Sequence, residues 1–298
     1  MLTVEPLQYL ERIDAVRREN ASCFTNIFLN THELLETLKK KKTKLLQLEN
    51  HALFIFIRYH DTYYDMYYVC SKETYQKLPL MDSFRNFIKE LDLPVRIGIS
   101  GTYDRINEDS KIFEQCGFVR NKTVGKVTSN ATVNEYAKHF WNTSNPFISD
   151  NDNAKTFSDD LVVTFADISD VQEIFDMLCE EFDLIEDSIP EPDQILEDIK
   201  KKFVAIIKKD NSIIAIHYYR IKNRIRSNIY DYVKKNYRAN GTIFILNNFV
   251  NKYVAEHENV VRSYGWRDIT KKRLINAYKA LGETFCNVYT TYLLSAKE

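Results

Sequence analysis

The sequence predicts an α/β (α+β) protein of two tandem domains, each a mixed, mostly antiparallel sheet flanked by helices. Three observations predict it. Strand-like and helix-like apolar periodicities alternate along the chain, and several strand pairs are separated only by a tight turn. At 298 residues and 44% apolar composition, the chain can bury two cores of ordinary size. Finally, the halves look alike: Phe54 to Asp61 parallels Val204 to Asp210, each ending in a turn and a second strand. Ile112 to Gly117 likewise parallels Ala277 to Gly282, as expected of one αβ unit used twice. The division drawn is a structural domain at 1–141, a linker at 142–158 and a second domain at 159–298.

In order, Tyr9 to Val16 reads as a helix, Phe24 to Leu29 as a short strand, and Thr31 onward as a helix ending at the solvated run Lys39 to Lys42. Leu53 to Ile57 is apolar throughout, as a strand covered on both faces would be, and a turn near His60-Asp61-Thr62 leads to a strand over Tyr63 to Val69. A helix starting at Lys72 or Asp82 runs to Leu91. Pro94 to Ile99 is a strand, and Glu108 to Glu114 a helix closed by Cys116-Gly117-Phe118. Val133 to Trp141 is a short helix before the Asn-, Ser- and Asp-rich linker. Beyond it, Leu161 to Phe165 is a strand, and Ser169 caps a helix containing Val171, Ile174, Phe175 and Leu178. Ile195 to Ile199 is a helix, and Phe203 to Ile207 and Ile213 to Tyr219 form a hairpin about Lys209-Asp210-Asn211.

A net charge of −1 argues against a general nucleic-acid binder, which needs a basic surface. The five cysteines form no C-x-x-C pair, so neither a zinc site nor a disulfide framework is expected, and reduced thiols fit a cytoplasmic protein. No leader peptide or membrane-spanning run is expected. Asp167 to Asp198 is almost purely acidic and the chain from Lys201 onward is basic; as function, this would draw a cationic amine to one rim and phosphates or an acidic carrier protein to the other.

Chemistry concentrates in Ile229 to Gly282. Ile229 to Val233 alternates as a strand, Lys234 to Thr242 is a turn containing Gly241, and Ile243, Leu246, Asn247, Val250 and Val254 recur at helical spacing. A strand, a glycine turn and a helix start leave amides unpaired with the helix dipole behind them, a place for an anion such as a pyrophosphate. Val260 to Trp266 then reads as a strand and Thr270 to Leu281 as a helix stopped by Gly282.

This order, with Val233, Tyr237, Arg238 and Gly241 followed by Tyr278 and Gly282, resembles the acyl-CoA core of the GNAT superfamily of N-acetyltransferases. The resemblance implies two GNAT-like domains, the first degenerate, and acyl transfer from acetyl-CoA or another acyl-CoA directly to a small amine or amino-acid-like acceptor. It places the carrier on Val233, Arg238, Ala239, Asn240, Gly241, Thr242 and Ile243, and makes Tyr278 the acid that protonates the leaving thiolate. For the base, His217 and Asp231 both sit in strands near the expected cleft. No metal, nucleic acid or membrane partner is expected, and the chain would be a monomer or homodimer. Lys235, Ile243 and Glu283 stand where the family has proline, a small residue and phenylalanine. Ile243, Glu283 and the scarcity of glycine favour one alternative, a catalytically inactive module that binds a protein or an acyl carrier. A Fem-like aminoacyl transferase, also a tandem of this fold, is the other.

Overall fold

The computed structural model describes residues 6–20, 22–27, 29–49, 51–128, 161–238, 242–269, 275–276 and 284–296. The linker expected at 142–158, the helix at 133–141 and most of the helix at 270–281 lie outside them. In chain order the elements are α1 (Pro6–Glu19), β1 (Cys23–Thr25), α2 (Thr31–Lys40), β2 (Thr43–Leu48), β3 (Ala52–Tyr59), β4 (Tyr63–Ser71), α3 (Lys72–Lys77), α4 (Asp82–Lys89), β5 (Val95–Gly101), α5 (Tyr103–Gln115) and β6 (Val119–Thr128). There follow β7 (Leu161–Phe165), α6 (Val171–Glu181), α7 (Pro192–Lys200), β8 (Val204–Lys209), β9 (Ser212–Lys222), β10 (Ile225–Val233), α8 (Thr242–His257), β11 (Arg262–Asp268) and β12 (Thr284–Leu294).

Two compact units emerge: residues 1–124 with 287–298, and residues 125–286. In the first, the strand order is β2-β3-β4-β5-β12, with β1 added to β4. Every pairing there is antiparallel except β4 with β5. Helices α1 and α2 bury Tyr9, Ile13, Val16, Leu34 and Leu38 against one face of β3 and β4. Tyr75, Phe84, Ile88, Ile106 and Phe113 of α3, α4 and α5 pack on the other. Strand β3 is therefore apolar at successive positions because both of its faces are covered, as its sequence predicts.

The second unit repeats the plan, with order β7-β8-β9-β10-β11 and one parallel pairing, β10 with β11. Ile174, Met177 and Leu178 of α6 and Ile195 and Ile199 of α7 cover the face carrying Ile206, Ile216, Tyr218, Tyr230 and Tyr232. Leu246, Val250 and Val254 of α8 cover the face carrying Ala205, Ile207, Ala215 and Tyr219. Hairpin geometry is supplied by paired residues in the left-handed region: Asp210 and Asn211 (φ 49° and 62°) between β8 and β9, and Asn223 and Arg224 (52° and 63°) between β9 and β10. These mirror-image turns match the right-handed twist of the strands they join.

Three expectations need correcting and one choice is resolved. The last strand of the chain, β12, is absent from the elements expected, and residues 287–298 pack with the first unit, not with 159–286, because β12 pairs with β5 from Val288↔Gly101 to Leu294↔Val95. The repeat is displaced by one strand: β4 and β10 carry the parallel partners, so β3 corresponds to β9 and not to β8. Similar tight turns at each hairpin make neighbouring strands indistinguishable by pattern. Of the two starts left open for the helix reaching Leu91, Asp82 is the observed one, and Lys72 instead opens a separate short helix that ends before Leu78-Pro79-Leu80. Lastly, Asp167 is the capping side chain, accepting the Ser169 N–H at 2.7 Å, while Asp170 accepts the Asp167 N–H at 3.0 Å.

Candidate functional site

Strand β10 organises the second unit's polar groups through one irregularity. Its register against β9 runs from Ile225↔Lys222 to Asn228↔Tyr219 and resumes at Tyr230↔Tyr218, leaving Ile229 as an extra residue. A bulge of one residue reverses which face the following side chains take. Arg226 and Asp231, which a regular strand would put on opposite faces, thus share the α8 face. The bulge also ends the parallel ladder, which runs from Ile225↔Arg262 to Asn228↔Gly265 and no further among the described residues. Beyond it β10 and β11 part. The Lys234 N–H bonds the Ile214 carbonyl of β9 at 2.8 Å. By strand alternation the backbone groups of Asp231 and Val233 therefore point the other way, into the gap.

At this gap the structure brings together two predicted residues. His217 Nδ1 lies 2.6 Å from Asp231 Oδ1 across the β9–β10 ladder. An ionised carboxylate only accepts, so Nδ1 carries the proton. His217 is fully buried, its ring stacked on that of Tyr219 at 5.6 Å, and its Nε2 has no partner among the described residues. Asp231 keeps 27% of its side chain exposed, and its second oxygen lies 3.5 Å from Arg267 Nη2 of β11. Burial opposes ionisation of Asp231. The His217 imidazole, then Arg267 and Arg226, outweigh that and hold the carboxyl below its usual range. Of these two residues, Asp231 is accessible and His217 is buried behind it.

The predicted anion turn is partly in view. Val233 ends β10, and its carbonyl accepts from Arg238 Nε at 2.7 Å. Arg238 Nη2 pairs with Glu181 of α6 at 2.7 Å, and its guanidinium lies 5.9 Å from the centre of the Tyr232 ring. The Arg238 N–H closes on the Lys235 carbonyl at 3.3 Å, so this amide is not bared as the motif suggested. Thr242, buried, opens α8 and donates its hydroxyl to the Tyr237 carbonyl at 3.0 Å, and Ile243 beside it is half-buried. Ala239, Asn240, Gly241 and Tyr278 lie outside the described residues.

Arg226, Arg267 and the bulge were missed. The sequence carries no clear signal for the bulge: Arg226, Ser227 and Asn228 are polar in succession, so no alternation precedes Asp231 whose phase could change. Nothing in the pattern announces Arg267, which reaches Asp231 only because β11 runs alongside β10. Among the described residues there is no group of side chains able to hold a metal ion, and no helix is long and apolar enough to cross a membrane. The described cysteines are free thiols, with Cys70 and Cys116 buried and Cys286 exposed.

No family model matches the sequence, and no curated protein matches it. Solved structures do match the fold. A tandem GNAT protein from the clavulanic acid biosynthesis pathway, solved without AcCoA, aligns with TM-score 0.61 at 9% identity, over 99% of this chain and 95% of its own. A GCN5-related N-acetyltransferase from Sphaerobacter thermophilus aligns with TM-score 0.55 at 11% identity, over 98% and 94%. A GCN5-related glucosamine N-acetyltransferase region of a fungal multi-domain GH3 β-N-acetylglucosaminidase aligns with TM-score 0.54 at 10% identity over 82% of this chain, which spans 31% of that one. At such identities the likeness is one of architecture. The chain has the fold of the GNAT N-acetyltransferases, present as two tandem copies.

Proposed function

We propose that the second unit is an acyl-CoA-dependent N-acyltransferase acting on a small amine. The observation that carries this reading is the parting of β10 and β11 at the Ile229 bulge, with the ionised Asp231 beside the opening. The backbone of Asp231 and the Val233 N–H would hold an extended arm bearing amides, such as that of coenzyme A. Ala239, Asn240, Gly241, Thr242 and Ile243 would meet its phosphates at the start of α8. The carrier supplies an acyl group activated as a thioester. Asp231 would hold the incoming ammonium and take one of its protons, which frees the lone pair that bonds the acyl carbon; the second proton, shed by the nitrogen as the carbon–sulfur bond breaks, would restore Tyr278. Tyr278 would return a proton to the departing thiolate.

Binding is the direct test. Calorimetry with acetyl-CoA and longer acyl-CoAs should give a saturable signal, and absence of any signal would sink the reading. Asp231→Asn should lower kcat/KM for the amine about 100-fold with carrier affinity unchanged. A second reading, an inactive module of the same fold, is favoured by one observation: the Arg238 guanidinium is already engaged by Glu181 and Val233. Under it, carrier binding persists or fails without any turnover.

A further inference from the structure

The first unit contains the counterpart of the same gap. Strands β4 and β5 pair in parallel only at Tyr64↔Val95 and Asp65↔Arg96 before they part. Beyond that point the Ser71 N–H turns to the His51 carbonyl on the β3 side, at 2.8 Å. By alternation, the backbone groups of Met66, Tyr68 and Cys70 face the gap. All three meet the chain's own segment Cys23–Asn26. Strand β1 pairs antiparallel with the end of β4, Phe24 opposite Cys70. Thr25 Oγ1 donates to the Tyr68 carbonyl at 2.7 Å. Asn26, 3% exposed, does the rest: its Oδ1 accepts the Tyr68 N–H at 2.8 Å, and its Nδ2 donates to the Met66 carbonyl at 2.9 Å and, across the gap, to the Gly98 carbonyl of β5 at 3.2 Å. A single side-chain amide thus replaces the rung that two separated strands cannot make. Phe24 is held as well, stacked on Tyr75 at 4.9 Å with the Arg105 guanidinium 5.7 Å from its ring centre.

We propose that the β4–β5 gap is a binding groove for an extended peptide, and that its resident ligand is this chain's own segment Cys23–Ile27. Unpaired strand edges that turn inward demand partners, and here they are satisfied by backbone and by an asparagine in a continuous set of bonds. The first copy consequently has no vacancy for an acyl carrier. With the second-unit reading proposed above, on which this part rests, the chain takes one equivalent of acyl-CoA, at β10.

Two measurements on the full chain test this separately. The first is hydrogen exchange on the unliganded protein, where the amides of Phe24, which faces Cys70, and of Tyr68, which bonds Asn26, should be protected to the level of the β3–β4 ladder. A cross-link reads the same contact. Cys23 faces Ser71 across the ladder, so in the Ser71→Cys variant the introduced thiol should form a disulfide with Cys23 on mild oxidation without backbone movement. Exchange at free-peptide rates, or failure to cross-link in a folded variant, overturns the resident segment. If Ser71→Cys does not fold, the exchange measurement on the native chain decides alone. The second is titration with acetyl-CoA. One equivalent, unaltered by the cross-link, agrees with a closed first gap. Two equivalents, or loss of an equivalent on cross-linking, overturns it. No binding at all overturns the acyltransferase reading, and the exchange result then still judges the groove.

Discussion

Asp231 owes its properties to what surrounds it more than to its own chemistry. Burial alone would raise its pKa, but His217, Arg267 and Arg226 outweigh burial, and the folded carboxyl titrates below the unfolded value of about 3.9. The stability this group contributes is therefore fully present above about pH 4 and is lost as pH falls through the lowered folded value. Asp231→Asn should make the acid limb of a stability curve, measured by urea unfolding between about pH 2 and pH 6, shallower than that of the wild type. His217 has a distinguishable role. His217→Gln removes the imidazole that lowers the Asp231 pKa, so the acid limb of kcat/KM for an amine substrate should move to higher pH. A purely structural histidine would lower the melting temperature and leave that limb where it was. Both residues stand out in the sequence because polar groups within strands are uncommon. Their pairing is not legible there, since Asp231 reaches the α8 face only through the bulge at Ile229.

Among the elements, strands are legible wherever two faces are covered or a tight turn ends them, as in β3, β8 and β9. Strand β6 is not, because Val119-Arg120-Asn121-Lys122 carries too many polar residues to look like sheet; β12 is obscured only at Thr284 to Asn287, since Val288 to Leu294 is a β-branched and aromatic run that reads as a strand. Strand β1 is visible as an apolar run, yet its purpose is not. Phe24 and Ile27 read as ordinary packing, and nothing local says that Asn26 will bridge two strands distant in sequence. Deleting that bridge gives the element-scale prediction. Asn26→Ala leaves the Met66 and Gly98 carbonyls and the Tyr68 N–H buried without the partners it supplies. A buried polar group stripped of its partner costs about 1–3 kcal/mol, so the loss should be about 3 kcal/mol or more. It should appear as a lower denaturation midpoint in the first unit, with acyl-CoA affinity at the second unit unchanged. A fall below about 1 kcal/mol would mean that water replaces the amide and that the segment is held by β1 alone.

At the scale of the molecule, the sequence pattern reveals two copies of one plan but misplaces the cut between them. A boundary at 141/159 assumes that each copy is continuous in sequence, and linker composition encourages that assumption. The contacts run otherwise, because residues 287–298 belong with 1–124. Strand β12 lies along the whole of β5 and inserts Tyr292, fully buried, beside Phe113, with its hydroxyl 2.6 Å from Ser110 Oγ. Tyr289 adds a bond from Arg96 Nη2 at 3.2 Å. Losing one buried aromatic side chain costs about 3–5 kcal/mol, and the ladder to β5 is lost with it. The total approaches the roughly 5–15 kcal/mol that holds a whole domain folded. A chain ending at residue 286 should therefore lose protease resistance in residues 1–124 while 161–286 survives digestion. The converse is the sharper test. Residues 1–141 alone should fail to unfold cooperatively, whereas 1–124 joined by a flexible linker to 287–298 should melt as one transition. If 1–141 folds by itself, the closing strand is dispensable and the first copy is self-sufficient after all.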